Sequence, residues 1–245
     1  MSGALIKRYK TAWRDPELVI VEGFHALKHA LRFGAEVVEA VASRPERLEE
    51  LAADLAPDLL GALRERVTPV EDELLDELVP QAPYTGVVAI AHRPEVDVAA
   101  ALDDPREAPV VLLEEPRNLG NMGACVRVAA AADAAGVFAT GTNDPWHAES
   151  VRAAAGLNFA LPVRKIEELP KSDRPLIAID PEGDDLRAAE LPPRAVLAFG
   201  TERHGLSEAL LERADLRLGI PMRAGVSSLN LATTVSAVLF AQRLA

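Results

Sequence analysis

The sequence of 245 residues holds a single cysteine, and only 4% of it is aromatic. One thiol forms no internal disulfide and has no cysteine partner for a zinc site, which fits a reducing compartment; Cys125 reads as a small apolar residue inside a helix. No apolar run approaches the roughly 18 to 20 residues that cross a bilayer. The opening MSGALIKRYK has no apolar stretch behind its charges to serve as a secretory signal, so a cytoplasmic protein with no membrane contact is expected. A basic surplus is missing too. The net charge of −12 argues at first against nucleic acid, whose phosphates ask for a basic surface. That deficit is local, however. Over residues 1 to 35, six cations (Lys7, Arg8, Lys10, Arg14, Lys28 and Arg32) face three acids (Asp15, Glu17 and Glu22), a net of +3. Residues 36 to 109 carry the acid, on helix-like stretches such as PERLEELAADL and VEDELLDEL that read as solvated faces. An RNA partner therefore requires a locally basic face, for which Lys7, Arg8, Lys10 and Arg14 are the candidates. Tyr9 and Trp13 among them suit stacking on unpaired bases, and serve equally well as anchors of an N-terminal helix.

What the chain does have is alternating strand and helix patterning, in two blocks. In the first, LVIVEG reads as a buried strand and FHALKHALRFG as an amphipathic helix closed by Gly34. VVEAVA, RVTPV and TGVVAIA follow as strands, with helices over Pro45–Ala56 and EDELLDEL between them. The proline-rich HRPEVDVAAALDDPREAP, helix-like only at its centre, reads as a linker. The expected division is thus a smaller α/β domain over 1–92, a linker over 93–108 and a second α/β domain over 109–245. In the second block PVVLLEE, GVFATG, PLIAID, AVLAFG and LRLGIP are near-continuous apolar strands. They are separated by helices at about Met122–Ala135 and around HAESVRAAAG, SEALLE and the C-terminal SLNLATTVSAVLFAQRLA. That pattern implies a parallel sheet covered on both faces.

Ligands of such sheets sit beyond the carboxyl ends of the strands. Three loops lie there: Glu115 to Gly123, Gly200 to Ser207, and Pro221 to Asn230. The first, NLGNMGA, is neither the dinucleotide fingerprint nor a P-loop. By itself it suits a structural turn. In the second, AFGTERHGLS, Ser207 serves as a helix cap, but a cap does not explain Glu202 at a strand mouth. His204 in the same loop reads as an exposed side chain. In the third, Ser227 or Ser228 would cap the last helix, leaving Asn230, a poor helix former, inside the first turn without a local reason. GVSSL lacks the second glycine of a hydrolase elbow. His25 and His29 lack a zinc-site glutamate and a third ligand, so no metal is expected.

Together the loops resemble, in order and spacing, the three motifs of the SpoU/TrmH family of RNA ribose 2′-O-methyltransferases, in the SPOUT class. The first matches N-x-G-x-x-x-R with Asn121, Gly123 and Arg127; the second matches G-x-E-x-x-G with Gly200, Glu202 and Gly205. The third matches I-P-M followed by S-L-N with Ile220, Pro221, Met222, Ser228, Leu229 and Asn230. Val128, Thr201 and Thr234 depart from the residues common in the family at those places, and these neighbours touch packing more than chemistry. The segments LVIVEGFHALKHAL and PYTGVVAIA resemble the small substrate-binding domain that precedes the catalytic domain in many members.

The resemblance implies a C-terminal α/β knot, a trefoil-knotted parallel sheet, preceded by a smaller α/β RNA-binding domain. It further implies S-adenosyl-L-methionine as cofactor, ribosomal or transfer RNA as substrate, and a homodimer with its active site near the interface. By matching position, the cofactor is expected at Gly200, Gly205, Ile220, Met222 and Leu229. Catalytic roles fall to Arg127, Asn121, Glu202, Ser228 and Asn230: the arginine grips a phosphate and favours a developing alkoxide, Glu202 orients neighbouring side chains, and the others hydrogen-bond ribose, phosphate or cofactor. Two rival readings predict other outcomes. A non-catalytic RNA-binding protein on this fold would be expected to have lost Arg127, Glu202 or Asn230, and a doubly wound nucleotide enzyme would bind ATP or NAD in preference.

Overall fold

The computed structural model describes residues 2–201 and 204–244. Glu202, a candidate of the second motif, lies outside them.

The chain begins with helix α1 (Ser2–Ala12), then strand β1 (Leu18–Glu22), α2 (Phe24–Arg32) and β2 (Val37–Ala42). Helices α3 (Pro45–Leu55) and α4 (Leu60–Arg66) lead into β3 (Val67–Pro69), α5 (Asp72–Leu78) and β4 (Val87–His92). The four strands form one sheet in the order β1-β4-β2-β3. In β4 only His92, the last of Val87–His92, is exposed, as expected of a central strand with both faces covered. Gly34, at φ +76°, follows the end of α2, where a left-handed residue is needed and glycine carries no penalty.

Tyr9 and Trp13 act as anchors. The Tyr9 side chain is fully buried and its hydroxyl donates to the Val88 carbonyl at 3.1 Å, while Trp13 Nε1 donates to the Leu78 carbonyl at 3.1 Å. Burial also pushes the Tyr9 phenol well above its ordinary pKa, so the proton in that bond stays in place. The alternative of stacking on bases is therefore closed to Tyr9. Tyr9→Phe should lower the unfolding free energy by about 1 kcal/mol, the net worth of one hydrogen bond, and leave RNA affinity unchanged. Denaturant melts paired with a filter-binding titration check both halves.

The second unit opens earlier than the sequence suggests. The stretch 93–108, expected as a linker, contains α6 (Val98–Leu102), and Ala101, Leu102 and Ala108 are buried in that unit's core. The cause is Arg174. Its guanidinium, itself buried, donates to the carbonyls of Leu102 at 2.6 Å and Ala108 at 2.7 Å, pinning a segment whose prolines only looked like free chain. After α6 come β5 (Val110–Leu113), α7 (Leu119–Ala131), β6 (Gly136–Ala139) and α8 (Ala148–Ala153). Then follow β7 (Val163–Lys165), β8 (Leu176–Asp185), β9 (Val196–Phe199), α9 (Glu208–Arg213), β10 (Leu216–Gly219) and α10 (Leu231–Leu244).

Six of these strands form a wholly parallel sheet, β10-β8-β9-β5-β6-β7. One excursion leaves it: Trp146–Ala160, with α8, packs with residues 1–95 rather than with the six-stranded unit. Gly156, at φ +76°, explains the fit, because a Cβ there would lie 2.4 Å from the Ala26 carbonyl oxygen. His29 secures the same turn through Nδ1, 2.7 Å from the Ala155 carbonyl.

Register sets the stage for the site. Leu113 of β5 pairs with Phe199 of β9 and Ala139 of β6, and Phe199 pairs with Ile179 of β8. The loops that follow those residues therefore leave one edge of the sheet together.

Candidate functional site

The first motif is helical sooner than its glycines imply. Asn118 is the N-cap of α7: its Oδ1 accepts from the Asn121 N–H at 2.7 Å, a local structural reason for that asparagine. The helix thus starts at Leu119 instead of about Met122, and Asn121 and Gly123 stand inside it. Cys125 is buried, as expected, while Arg127 is exposed on the same helix.

The third motif also caps a helix by another residue than expected. Neither Ser227 nor Ser228 caps α10; Asn230 does, with Oδ1 accepting from Ala232 N–H at 2.9 Å and Thr233 N–H at 3.3 Å. Its amide has a second use. Nδ2 donates to Asn121 Oδ1 at 3.1 Å, so one side chain both ends the third loop and ties it to the first motif, 109 residues away. Helices α7 and α10 pack against each other behind this bond.

In the second motif the backbone closes on itself. Thr201 and Gly205 exchange two hydrogen bonds of 3.0 Å, and a Cβ on Gly200 would fall 2.0 Å from the Gly205 carbonyl carbon. Gly200 is thus required by loop closure, a reason closer at hand than approach to a ligand. Gly205 has φ +65° and supplies the left-handed turn. Ser207 caps α9 as expected and is gripped from β5's end: Glu114 accepts from its N–H and from its hydroxyl, both at 2.6 Å. Sequence reasoning overlooked Glu114, because a glutamate after a strand carries no signature until its partner is seen.

These loops enclose a cavity of about 560 Å³ at the carboxyl ends of β8, β9 and β10. Gly200, Gly205, Ile220, Met222 and Leu229, the five residues expected to contact the cofactor, all line it, together with Ser228 and His204. Its volume lies in the range of small-molecule sites. The wall is mixed, with Ile179, Phe199, Leu206 and Leu231 as apolar surface and Asp180, Glu182 and Arg217 as a charged corner. Asp180 and Arg217 were also missed. A register irregularity between Arg217 and Leu218, where β10 crosses from pairing with Ala178 to pairing with Asp184, helps set this corner, and no sequence pattern reveals it. Asn121, Asn230 and Arg127 are not in the lining. The structure therefore brings Asn121 and Asn230 together, gathers the expected cofactor residues separately, and leaves Arg127 outside both groups within one chain.

Of the expected RNA contacts, Lys7, Lys10 and Arg14 line one shallow groove along α1, whereas Arg8 turns away and pairs with Glu39. No helix among the described residues is long and apolar enough to cross a membrane.

Comparison with known proteins gives this geometry its class. Residues 108–240 match the SpoU rRNA Methylase family. Over 91% of this chain and 80% of its own length, a protein of Mycobacterium tuberculosis described as an uncharacterized tRNA/rRNA methyltransferase is 32% identical. The 23S rRNA (guanosine(2553)-2'-O)-methyltransferase RlmP of Bacillus subtilis is 28% identical over 90% of this chain and 86% of its own. The crystal structure of the SpoU methyltransferase AviRb from Streptomyces viridochromogenes, in complex with AdoMet, superposes with a TM-score of 0.80 over 98% of both chains at 24% identity, a likeness of fold. The chain belongs to the SpoU rRNA methylase family. It is an RNA methyltransferase with an α/β fold built on a parallel sheet.

Proposed function

We propose that this protein methylates a ribose 2′-hydroxyl in structured ribosomal RNA, within the cytoplasm, and that two copies of the chain form the active site. The observation that carries the reading is the cavity whose lining includes every residue the second and third motifs assign to the cofactor.

When bound there, S-adenosylmethionine supplies a methyl group on a sulfonium. The residues of the chain do the rest by positioning. Gly200, Ile220 and Leu229 offer the cofactor its backbone contacts, and Ser228 offers a hydroxyl. The bond between Asn121 and Asn230 fixes the rim of the site. Arg127 holds an RNA phosphate through its planar fork and stabilises negative charge on the attacking oxygen as the hydroxyl proton leaves to water, an electrostatic role. Glu202 orients its neighbours in the second loop.

The homodimer is supported by the third loop. Residues 223–230 are all exposed, Val226 and Leu229 among them at 48% and 40%, surface that a second copy would cover. A second copy placed against it would bring a partner's Arg127 to the cavity that its own chain leaves without one. A knotted passage of the C-terminal segment, the family's arrangement, belongs to the same reading. The first unit, with residues 1–92, would bind RNA through the groove of Lys7, Lys10 and Arg14.

Replacing those three cations by alanine should weaken rRNA binding and flatten the slope of log affinity against log salt by about 2 to 3. Arg8→Ala should do far less, because Glu39 already holds that side chain. Calorimetry tests the cofactor assignment. S-adenosylmethionine should bind, while ATP and NAD should not; tight ATP or NAD binding without S-adenosylmethionine binding would turn the reading to a nucleotide enzyme.

A further inference from the structure

We infer that Asp180 is a specificity-determining residue of the cofactor cavity, its free carboxylate oxygen receiving a hydrogen-bond donor of S-adenosylmethionine; this rests on the reading of that cavity as the cofactor site. Asp180 stands on β8, lines the cavity and is only 9% exposed. One of its oxygens is occupied. Oδ1 accepts from the Glu182 N–H at 2.8 Å and from Arg217 Nη2 at 2.8 Å. Oδ2 has no partner among the described residues. It is directed toward the second motif, where a Cβ on Gly205 would lie 3.7 Å from it.

That oxygen opens into the cavity, where a donor on the ligand can take the place of solvent. The arrangement around it looks built to hold it still: Arg217 bridges Asp180 and Glu182, reaching the latter at 3.0 Å, so the carboxylate is oriented before any ligand arrives. Glu182 cannot take the same part, because its side chain is 85% exposed and solvated. On the ligand, donors of the nucleoside (the ribose hydroxyls and the adenine amino group) and the amino-acid ammonium suit a carboxylate. They share one chemistry, an N–H or O–H aimed at Oδ2, and two analogues separate the nucleoside from the ammonium. S-adenosylhomocysteine carries both parts, whereas 5′-methylthioadenosine carries the nucleoside donors without the ammonium.

The test is calorimetry of both ligands on the full chain, wild type and Asp180→Asn. The substitution should weaken S-adenosylhomocysteine about tenfold to a hundredfold, the scale of one hydrogen bond to a charged group. An equal loss for 5′-methylthioadenosine assigns a donor of the nucleoside; an unchanged affinity for it assigns the ammonium. Unchanged binding of S-adenosylhomocysteine overturns the inference. Wild-type protein that binds neither ligand overturns the cofactor reading itself, a different result. Should Asp180→Asn melt far below the wild type, the carboxyl 13C resonance of Asp180 in the wild type decides: a shift on adding S-adenosylhomocysteine supports the contact, and an unmoved resonance refutes it.

Discussion

Gly200→Ala should abolish most cofactor binding while leaving the remainder of the fold standing. A methyl at this position would lie 2.0 Å from the Gly205 carbonyl carbon, 2.2 Å from its oxygen and 2.3 Å from the Leu206 nitrogen, all backbone atoms that no rotamer change can move aside. The loop must open. Opening breaks the paired bonds between Thr201 and Gly205 and shifts Gly205 and Leu206, both in the cavity wall. Overpacking of this kind costs about 1 to 3 kcal/mol, and two backbone bonds add about 1 to 3 more. If that cost falls on the binding-competent loop, affinity drops by about thirtyfold to ten-thousandfold, at tenfold per 1.4 kcal/mol. Gly61→Ala is the control: it lies within α4, a Cβ there meets nothing within 4 Å, and the helix gains propensity. Calorimetry and thermal melts of both variants separate a local from a global effect, and wild-type affinity in Gly200→Ala would show that the closed loop is not the binding form.

Arg127→Ala should produce the opposite profile. Because Arg127 is assigned to the RNA phosphate and the attacking oxygen, not to the cofactor, cofactor affinity should be unchanged, while methylation falls by about a hundredfold to a thousandfold, the scale for removing one donor to developing negative charge. Arg127→Lys should recover little, since an ammonium keeps the charge but not the fork. Single-turnover methyl transfer checks the rate; a wild-type rate in Arg127→Ala would remove the residue from the mechanism. Mixing an Arg127→Ala chain with a Gly200→Ala chain adds a test of the dimer. If each active site takes its arginine from the partner, every mixed dimer regains one intact site.

The two profiles show what could and could not be seen in the sequence. The strand ends were legible because five apolar runs in the second half point to a buried parallel sheet, and polar or glycine residues at their mouths stand out against it. The residues gathered at the cavity, from Gly200 to Leu229, followed from the resemblance of the loops to the family's motifs. Helix starts were less legible, because capping depends on which neighbouring polar side chain wins. Asn118 captured the start of α7 and Asn230 that of α10, while the serines expected there stayed outside the helix. Least legible were contacts between distant segments. Glu114 acquires meaning only beside Ser207, Asp180 only beside Arg217, and the proline-rich stretch before β5 became core because Arg174 reaches back to it. Residues 146–160 carry an ordinary helix pattern, and nothing in it tells that Gly156 nests against Ala26 in the first unit.

Asn230 shows why a single residue can defeat a choice between structural and functional readings. As a cap it is worth about 1 kcal/mol, yet the same amide holds Asn121 across the two helices. A residue serving both ends cannot be assigned by asking which use it has.

Nucleoside mass spectrometry of ribosomal RNA from cells with and without this gene tests the central claim most directly. One 2′-O-methylated nucleotide should vanish on deletion, return with the wild-type gene, and stay absent with Arg127→Ala. Ribose methylation identical in both strains, at every mapped position, would contradict the account.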